Sequence, residues 1–188
     1  MMREICDNIM DIAQNSISAG ATLLRLSIEI DSPRDRISLT FDDNGKGMEE
    51  SFLKTVADPF STTRTTRKVG LGLPLLKQTA IMTGGDFAIE SALGKGTKVS
   101  VSFGLSSIDR PPMGDVAGTI YLLVIMNPQM DFQIIYNVLG SGQEFMLDTE
   151  QIKELIEPLS IASPEISSWL RDYIKQEINV LHGGASFQ

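Results

Sequence analysis

Four stretches of this chain carry side chains whose types and spacing could do chemistry. Asp11 and Asn15 lie four residues apart on a polar helix face, so a carboxylate and an amide stand as neighbours about 6 Å apart along the axis. Asp43-Asn44-Gly45-Lys46-Gly47-Met48 puts a carboxylate at the end of an alternating run and follows it with two glycines. As a bare segment this reads as a turn. Its functional reading is an acceptor beside a backbone that a flat ligand can approach closely. Residues 61–68 hold five hydroxyls and three cations without an acid, and run into Gly70-Leu71-Gly72-Leu73-Pro74. Pro74 suits a first helical turn. Basic and small side chains at a helix N-terminus make a site for phosphate oxygens. The chain holds no G-x-x-x-x-G-K-[ST] and no G-x-G-x-x-G, so a phosphate site of another design is required.

The elements that must position these residues read as follows. Residues 2–18 form an amphipathic helix with Ile5, Ile9, Ile12, Ala13 and Ser16 on one side and Asn8, Asp11, Asn15 and Ser18 on the other. Gly20 is a natural stop. Residues 22–31 and 36–42 alternate as a strand pair, with Ser32–Asp35 turning between them. A helix begins near Pro74, with Leu75, Leu76 and Ala80 on its apolar side, and ends at Gly84-Gly85. Strands follow within 85–91 and 97–104. Helices on one face of a largely antiparallel sheet give an α+β two-layer sandwich.

In this order the pieces resemble the ATP-binding domain of the histidine-kinase-like superfamily (Bergerat fold), over about residues 1–105. Asn15 stands at the magnesium-binding asparagine of that family's N box, and residues 12–22 resemble the MutL version. Asp43 to Met48 match the first glycine box, Phe60 the phenylalanine box, and Gly70, Leu71, Gly72 and Leu73 the second glycine box. Gly94-Lys95-Gly96-Thr97 resembles the end of a sensor-kinase catalytic domain. The resemblance implies ATP and Mg2+ as ligands. Asp43 would take the adenine amino group, with Gly45, Gly47, Met48 and Thr97 around it. Thr62, Thr63, Arg64, Arg67 and Lys68 would form a lid over the triphosphate, and Asn15 would hold the metal.

Two departures qualify that expectation. Hydrolytic members carry glutamate four residues before the asparagine, where this chain has Asp11, one methylene shorter. A reach short by about 1.5 Å can cost on the order of 100-fold, so hydrolysis should be slow or absent without a partner. Only residues 1–3 or so precede the first helix, without the usual first strand or a phosphoacceptor helix. The acceptor of a kinase would then lie on another protein, or be His182, which sits in a Gly-rich tail and reads as frayed.

Composition bounds the rest. The 188 residues carry 16 Lys+Arg against 24 Asp+Glu, and 42% are hydrophobic, as in a soluble protein with a full core. One cysteine excludes a disulfide framework, and one histidine leaves too few ligands for a His/Cys zinc site. No run approaches the length of a membrane span and no signal peptide is visible, so no membrane and a cytoplasmic location are expected. The acidic balance argues against nucleic acid.

Charge divides the chain. Residues 1–105 hold 12 basic and 13 acidic residues, whereas 106–188 hold 4 and 11. The expected division is an ATP-binding domain over 1–105, a connector over 106–115 containing Pro111-Pro112, and an α/β extension over 116–188. Residues 116–126 and 131–139 read as strands, and one of them is expected to pair with the open sheet edge. Asp148 or Thr149 caps a helix with Ile152, Leu155 and Ile156 on one side, and Ser163-Pro164-Glu165 opens a last helix. Trp169 and Tyr173 read as core, or else as part of an acidic docking face. The overall pattern is similar to small stand-alone kinase-like ATPases of anaerobic bacteria, which often lie beside genes for redox enzymes. It implies a separate partner protein, either a phosphoacceptor or a regulated redox enzyme. A homodimer is a further option. The leading function is an ATP-dependent kinase or slow ATPase, and the alternative is a nucleotide-gated interaction switch.

Overall fold

A computed structural model describes residues 4–56, 72–140 and 143–182. The first helix, α1 (Ile5–Ser18), buries Ile5, Ile9, Ile12, Ala13 and Ser16, as its periodicity predicts. Asn8, expected on the polar side, is buried too, and its amide donates to the Glu4 carbonyl at 3.2 Å. Closing that bond within the helix removes the cost of an unpaired amide in the interior. Gly20 follows with φ of 74°.

Strands β1 (Leu23–Asp31) and β2 (Arg36–Asp43) form an antiparallel pair, with Leu26 opposite Phe41 and Ile28 opposite Leu39. Helices α2 (Glu50–Val56) and α3 (Gly72–Met82) come next, then strands β3 (Phe87–Ala92) and β4 (Gly96–Gly104). In α3, Leu76 and Ala80 are buried, whereas Leu75, expected beside them, is exposed.

The chain then departs from the reading of 116–126 as a strand. This segment is helix α4 (Val116–Met126). Its near-continuous apolar run hides the helical period, and length is then the better guide, because eleven residues suit a helix more than a strand. Asp115 caps it, accepting from the Gly118 amide at 2.9 Å, and the Thr119 hydroxyl donates back to the Asp115 carbonyl at 2.7 Å.

Strands β5 (Asp131–Val138) and β6 (Glu144–Asp148) and helices α5 (Thr149–Ile156) and α6 (Pro164–Leu181) complete the described fold. β5 lies parallel to β1, so the C-terminal segment extends one six-stranded sheet in the order β3-β4-β2-β1-β5-β6. The inward residues of all six strands meet α1, α3, α4 and α6 in a single core. On the opposite face Glu90, Lys98, Asp42, Arg25, Gln133 and Asp148 stand in one transverse row. Arg25 donates to Gln133 at 3.0 Å and lies 3.7 Å from Asp42, tying the two halves of the sheet in register.

Three further expectations are corrected. Leu155 is 85% exposed, while Ile152 and Ile156 are partly covered, because α5 has only its inner edge against β5. Trp169 is 50% exposed rather than core, and stacks on Tyr173 with ring centroids 5.3 Å apart. His182 is not frayed: it follows α6, and its Nε2 lies 2.7 Å from the Tyr136 hydroxyl. Among the described residues, no helix is long and apolar enough to cross a membrane.

Candidate nucleotide site

Asp43 is the last residue of β2 and is 7% exposed. Three protein donors hold its carboxylate. Oδ2 accepts from the Ser16 hydroxyl at 2.6 Å, and Oδ1 accepts from the Gly45 amide at 2.9 Å and the Thr97 amide at 3.2 Å. The short bond is in the range of an O–H donor to a charged acceptor. A carboxylate offers about four lone-pair sites. Three are taken, and the one left is on Oδ2, where a ligand N–H can donate.

The same contacts explain how α1, β2 and β4 come together. Ser16 links α1 to the end of β2, and Thr97 pairs with Asp43 in the β2–β4 ladder. Asn44, which sequence left without a role, locks the turn: its Oδ1 accepts from the Thr22 and Leu23 amides and its Nδ2 donates to the Thr22 hydroxyl. The Lys46 amide donates to Ala19, and the Lys46 carbonyl accepts from Gly94. Gly47 has φ of 66°, and a Cβ there would lie 1.9 Å from the Ala92 carbonyl oxygen. Gly96 has φ of 89°, and a Cβ there would lie 1.8 Å from the Asp43 carbonyl oxygen. The glycines therefore serve close backbone approach around the carboxylate. Ser91 finishes the frame, with its hydroxyl accepting from the Met48 amide and donating to the Gly96 carbonyl.

Asp43, Ser16, Lys46, Gly47, Met48 and Thr97 border a cavity of about 650 Å³. Of the residues expected from sequence, Asn15, Asp43, Gly47, Met48, Leu73 and Thr97 line it. Gly45 is buried behind Asp43, and Gly72 begins α3. Asp11 is exposed one turn before Asn15 and does not line the cavity. Phe60, Thr62, Thr63, Arg64, Arg67, Lys68, Gly70 and Leu71 lie outside the described residues. Sequence reasoning missed Ser16, Lys46, Phe52 and Val99. Ser16 had a signal: a hydroxyl on the apolar side of a helix must find a partner, and Asp43 is that partner. Phe52, on the short α2, had no comparable signal.

The cavity wall is apolar at Ile12, Val56 and Val99, with Asp43 and its partner Ser16 as buried polar points. That combination suits a flat ring carrying an N–H donor. The Asn15 side chain makes no hydrogen bond among the described residues. Its amide oxygen remains available to a ligand at the cavity mouth.

Comparison with known proteins agrees with this geometry. Residues 1–107 match the family model described as histidine kinase-, DNA gyrase B-, and HSP90-like ATPase. The chain belongs to this family. Similar curated proteins include sporulation kinase D of Bacillus subtilis, 28% identical over 99 residues, which are 53% of this chain and 19% of that one. Sensor protein DegM of Bacillus sp. is 31% identical over 94 residues, 50% of this chain and 25% of that one. The matched region thus spans at most about a quarter of such relatives. The fold is similar to the Aquifex aeolicus MutL ATPase domain complexed with ADP, at a TM-score of 0.51, 14% identity and 99% coverage of both chains. It is similar also to the N-terminal domain of a DNA repair protein, at a TM-score of 0.54, 16% identity, 78% of this chain and 53% of that one.

Proposed function

We propose that this chain binds Mg·ATP in the cavity between α1 and the ends of β2 and β4, and acts as a kinase or slow ATPase together with a separate partner protein. The observation that carries this reading is the carboxylate of Asp43, held by three donors with one acceptor position left. Adenine presents an exocyclic N–H2 that can fill it. Guanine presents a carbonyl oxygen at the corresponding position, which would face an acceptor, so ATP is selected over GTP.

Asn15 fits the metal. Magnesium is a hard cation that keeps several waters and takes few protein ligands. Among the described residues no group of three or more His, Cys, Asp or Glu is placed to hold a metal. One amide oxygen at the cavity mouth, with phosphate oxygens, is the donor set such an ion accepts. When bound, it would neutralise phosphate charge. The chain's own residues fix the base through Asp43, keep water from it with the apolar wall, and leave the triphosphate pointing toward the start of α3. Arg64, Arg67 and Lys68 are the cations proposed to meet it. Transfer forms a bond from the γ-phosphorus to a nucleophilic side chain of the partner protein, or to water in hydrolysis, as the bond to the bridging oxygen breaks and ADP leaves; catalysis is mainly positioning and charge neutralisation.

One observation favours a second reading, a nucleotide-gated interaction switch with little catalysis. Asp11, which stands where hydrolytic members carry their glutamate, is exposed and off the cavity wall. Incubation with γ-labelled ATP and co-purifying proteins separates the two. Label on a partner supports the kinase, and ATP-dependent association without label supports the switch. Neither label nor association would contradict both.

A further inference from the structure

A second cavity, of about 380 Å³, lies on the helical side of the sheet, between α6 and the start of α4 and away from the nucleotide site. Arg171, Lys175, Asn179 and His182 line one wall at near-helical spacing along α6. The connector and α4 form the other wall from Met113 to Gly118, and Tyr136 of β5 forms the floor. Its size is that of a small-molecule site.

The charge of this cavity runs against its surroundings. Residues 106–188 carry 11 acids and only four basic residues. Two of the four are consumed in holding the fold. Lys153 binds Asp131 at 2.7 Å and the Met130 carbonyl at 2.8 Å, and Arg110 donates to the Leu105 and Pro111 carbonyls. The other two, Arg171 and Lys175, both line the cavity. Lys175 makes no ion pair among the described residues, and Arg171 meets only its chain neighbour Asp172, at 3.5 Å with both side chains exposed. Such a pair contributes little.

One carboxylate borders the cavity, Asp115, and it is already engaged as the cap of α4. Burial lowers the His182 pKa, and the ring stands beside the Tyr136 hydroxyl. Among the lining side chains two cations, Arg171 and Lys175, stand against one acid, Asp115, while Asp172 sits beside Arg171 and the Glu4 carboxylate lies next to Gly114. Val116, Tyr121, Ile178 and the Tyr136 ring supply apolar surface.

We propose that this cavity is a second ligand site, which takes a compact organic monoanion with an aromatic or apolar body. The anionic group meets Arg171 and Lys175, and the body seats between α4 and the Tyr136 ring. The site borders the connector that hydrogen-bonds the first amides of α1, Ile5 to Pro112 and Cys6 to Met113. A ligand there touches Met113, whose carbonyl holds the Cys6 amide at the base of the helix that carries Asn15. The proposal stands without the ATP reading.

The test is a titration of nucleotide-free Asp43→Asn protein with benzoate, 4-hydroxybenzoate and the neutral control benzamide, followed by amide NMR. Using that variant separates this site from the nucleotide reading. The carboxylates should move the Gly114 and Gly118 resonances and leave Gly45 and Gly47 in place. Benzamide should bind at least about tenfold more weakly, and Lys175→Glu or the cavity-filling Ala117→Phe should weaken benzoate by a similar factor, about 1.4 kcal/mol. Three results would overturn the proposal: no shift at Gly114 and Gly118 with either carboxylate up to about 10 mM; equal affinity for benzamide; or unchanged benzoate binding in both folded variants.

Discussion

Replacing Asp43 by asparagine changes one oxygen to an N–H2 without changing the shape of the side chain. The amide oxygen can keep the place of Oδ1 and continue to accept from Gly45 and Thr97. The amide nitrogen then takes the place of Oδ2, where it donates to the Ser16 hydroxyl and directs its second N–H into the cavity. The fold should therefore survive with a melting temperature lowered by a few degrees, on the order of 1 kcal/mol. Nucleotide binding should not survive as well, because adenine would bring a donor against a donor. Losing a charged hydrogen bond removes about 1.5–3 kcal/mol, and leaving a buried donor unpaired costs about 1–3 more. Together these predict ATP affinity weaker by about 10²- to 10⁴-fold. Calorimetry of the two proteins, each checked by melting, measures this. An ATP affinity within about threefold of wild type, in a folded variant, would refute the role given to Asp43.

Three other outcomes follow from the same geometry. Asn15→Ala should bind ATP with the same affinity with or without magnesium, measured by calorimetry in the presence of chelator. Gly47→Ala must place a methyl carbon 1.9 Å from the Ala92 carbonyl oxygen at φ of 66°, so it should destabilise by about 3 kcal/mol or more in urea unfolding. Burial, reinforced by the negative charges of Glu4, Asp115 and Asp7 and partly opposed by a Thr119 hydrogen bond, pushes the Cys6 thiol up to about 11 from an ordinary 9.0. Between those values the unfolded chain binds fewer protons than the folded one, so stability is full below pH 9 and falls as pH rises. The expected slope peaks at about 1.1 kcal/mol per pH unit near pH 10, midway between the two values, and Cys6→Ala should flatten it in urea midpoints.

The half of the fold that carries the nucleotide cavity was readable because its strands alternate cleanly. β1 and β2 bury Leu24, Leu26, Ile28, Ile30, Ile37, Leu39 and Phe41, with polar residues between them. A period of two leaves one choice of face, and the turn after β2 then has to present Asp43 at a strand end. Segment 116–126 has no such period. It is apolar on nearly every side, even where Leu122 and Met126 are exposed, and only its length and Asp115 distinguish a helix from a strand. Leu155 and Trp169 were misplaced for the opposite reason: helical spacing identifies a side of a helix, but not how far a neighbour extends over it. α5 and the start of α6 lie at the edge of the sheet, where cover runs out. Ser16 was placed on the correct face. Its bond to Asp43 joins residues 27 positions apart, a pairing visible only once α1 lies across the end of β2.

The central claim is that Asp43 receives a purine amino group while Asn15 faces the phosphate end. A crystal structure of this protein grown with magnesium and a non-hydrolysable ATP analogue tests it most directly. The account predicts the adenine N6 within about 3 Å of Asp43 Oδ2, with Ser16, Gly45 and Thr97 still donating to the same carboxylate. Electron density placing the base elsewhere, or an analogue bound with Asp43 untouched, would contradict it.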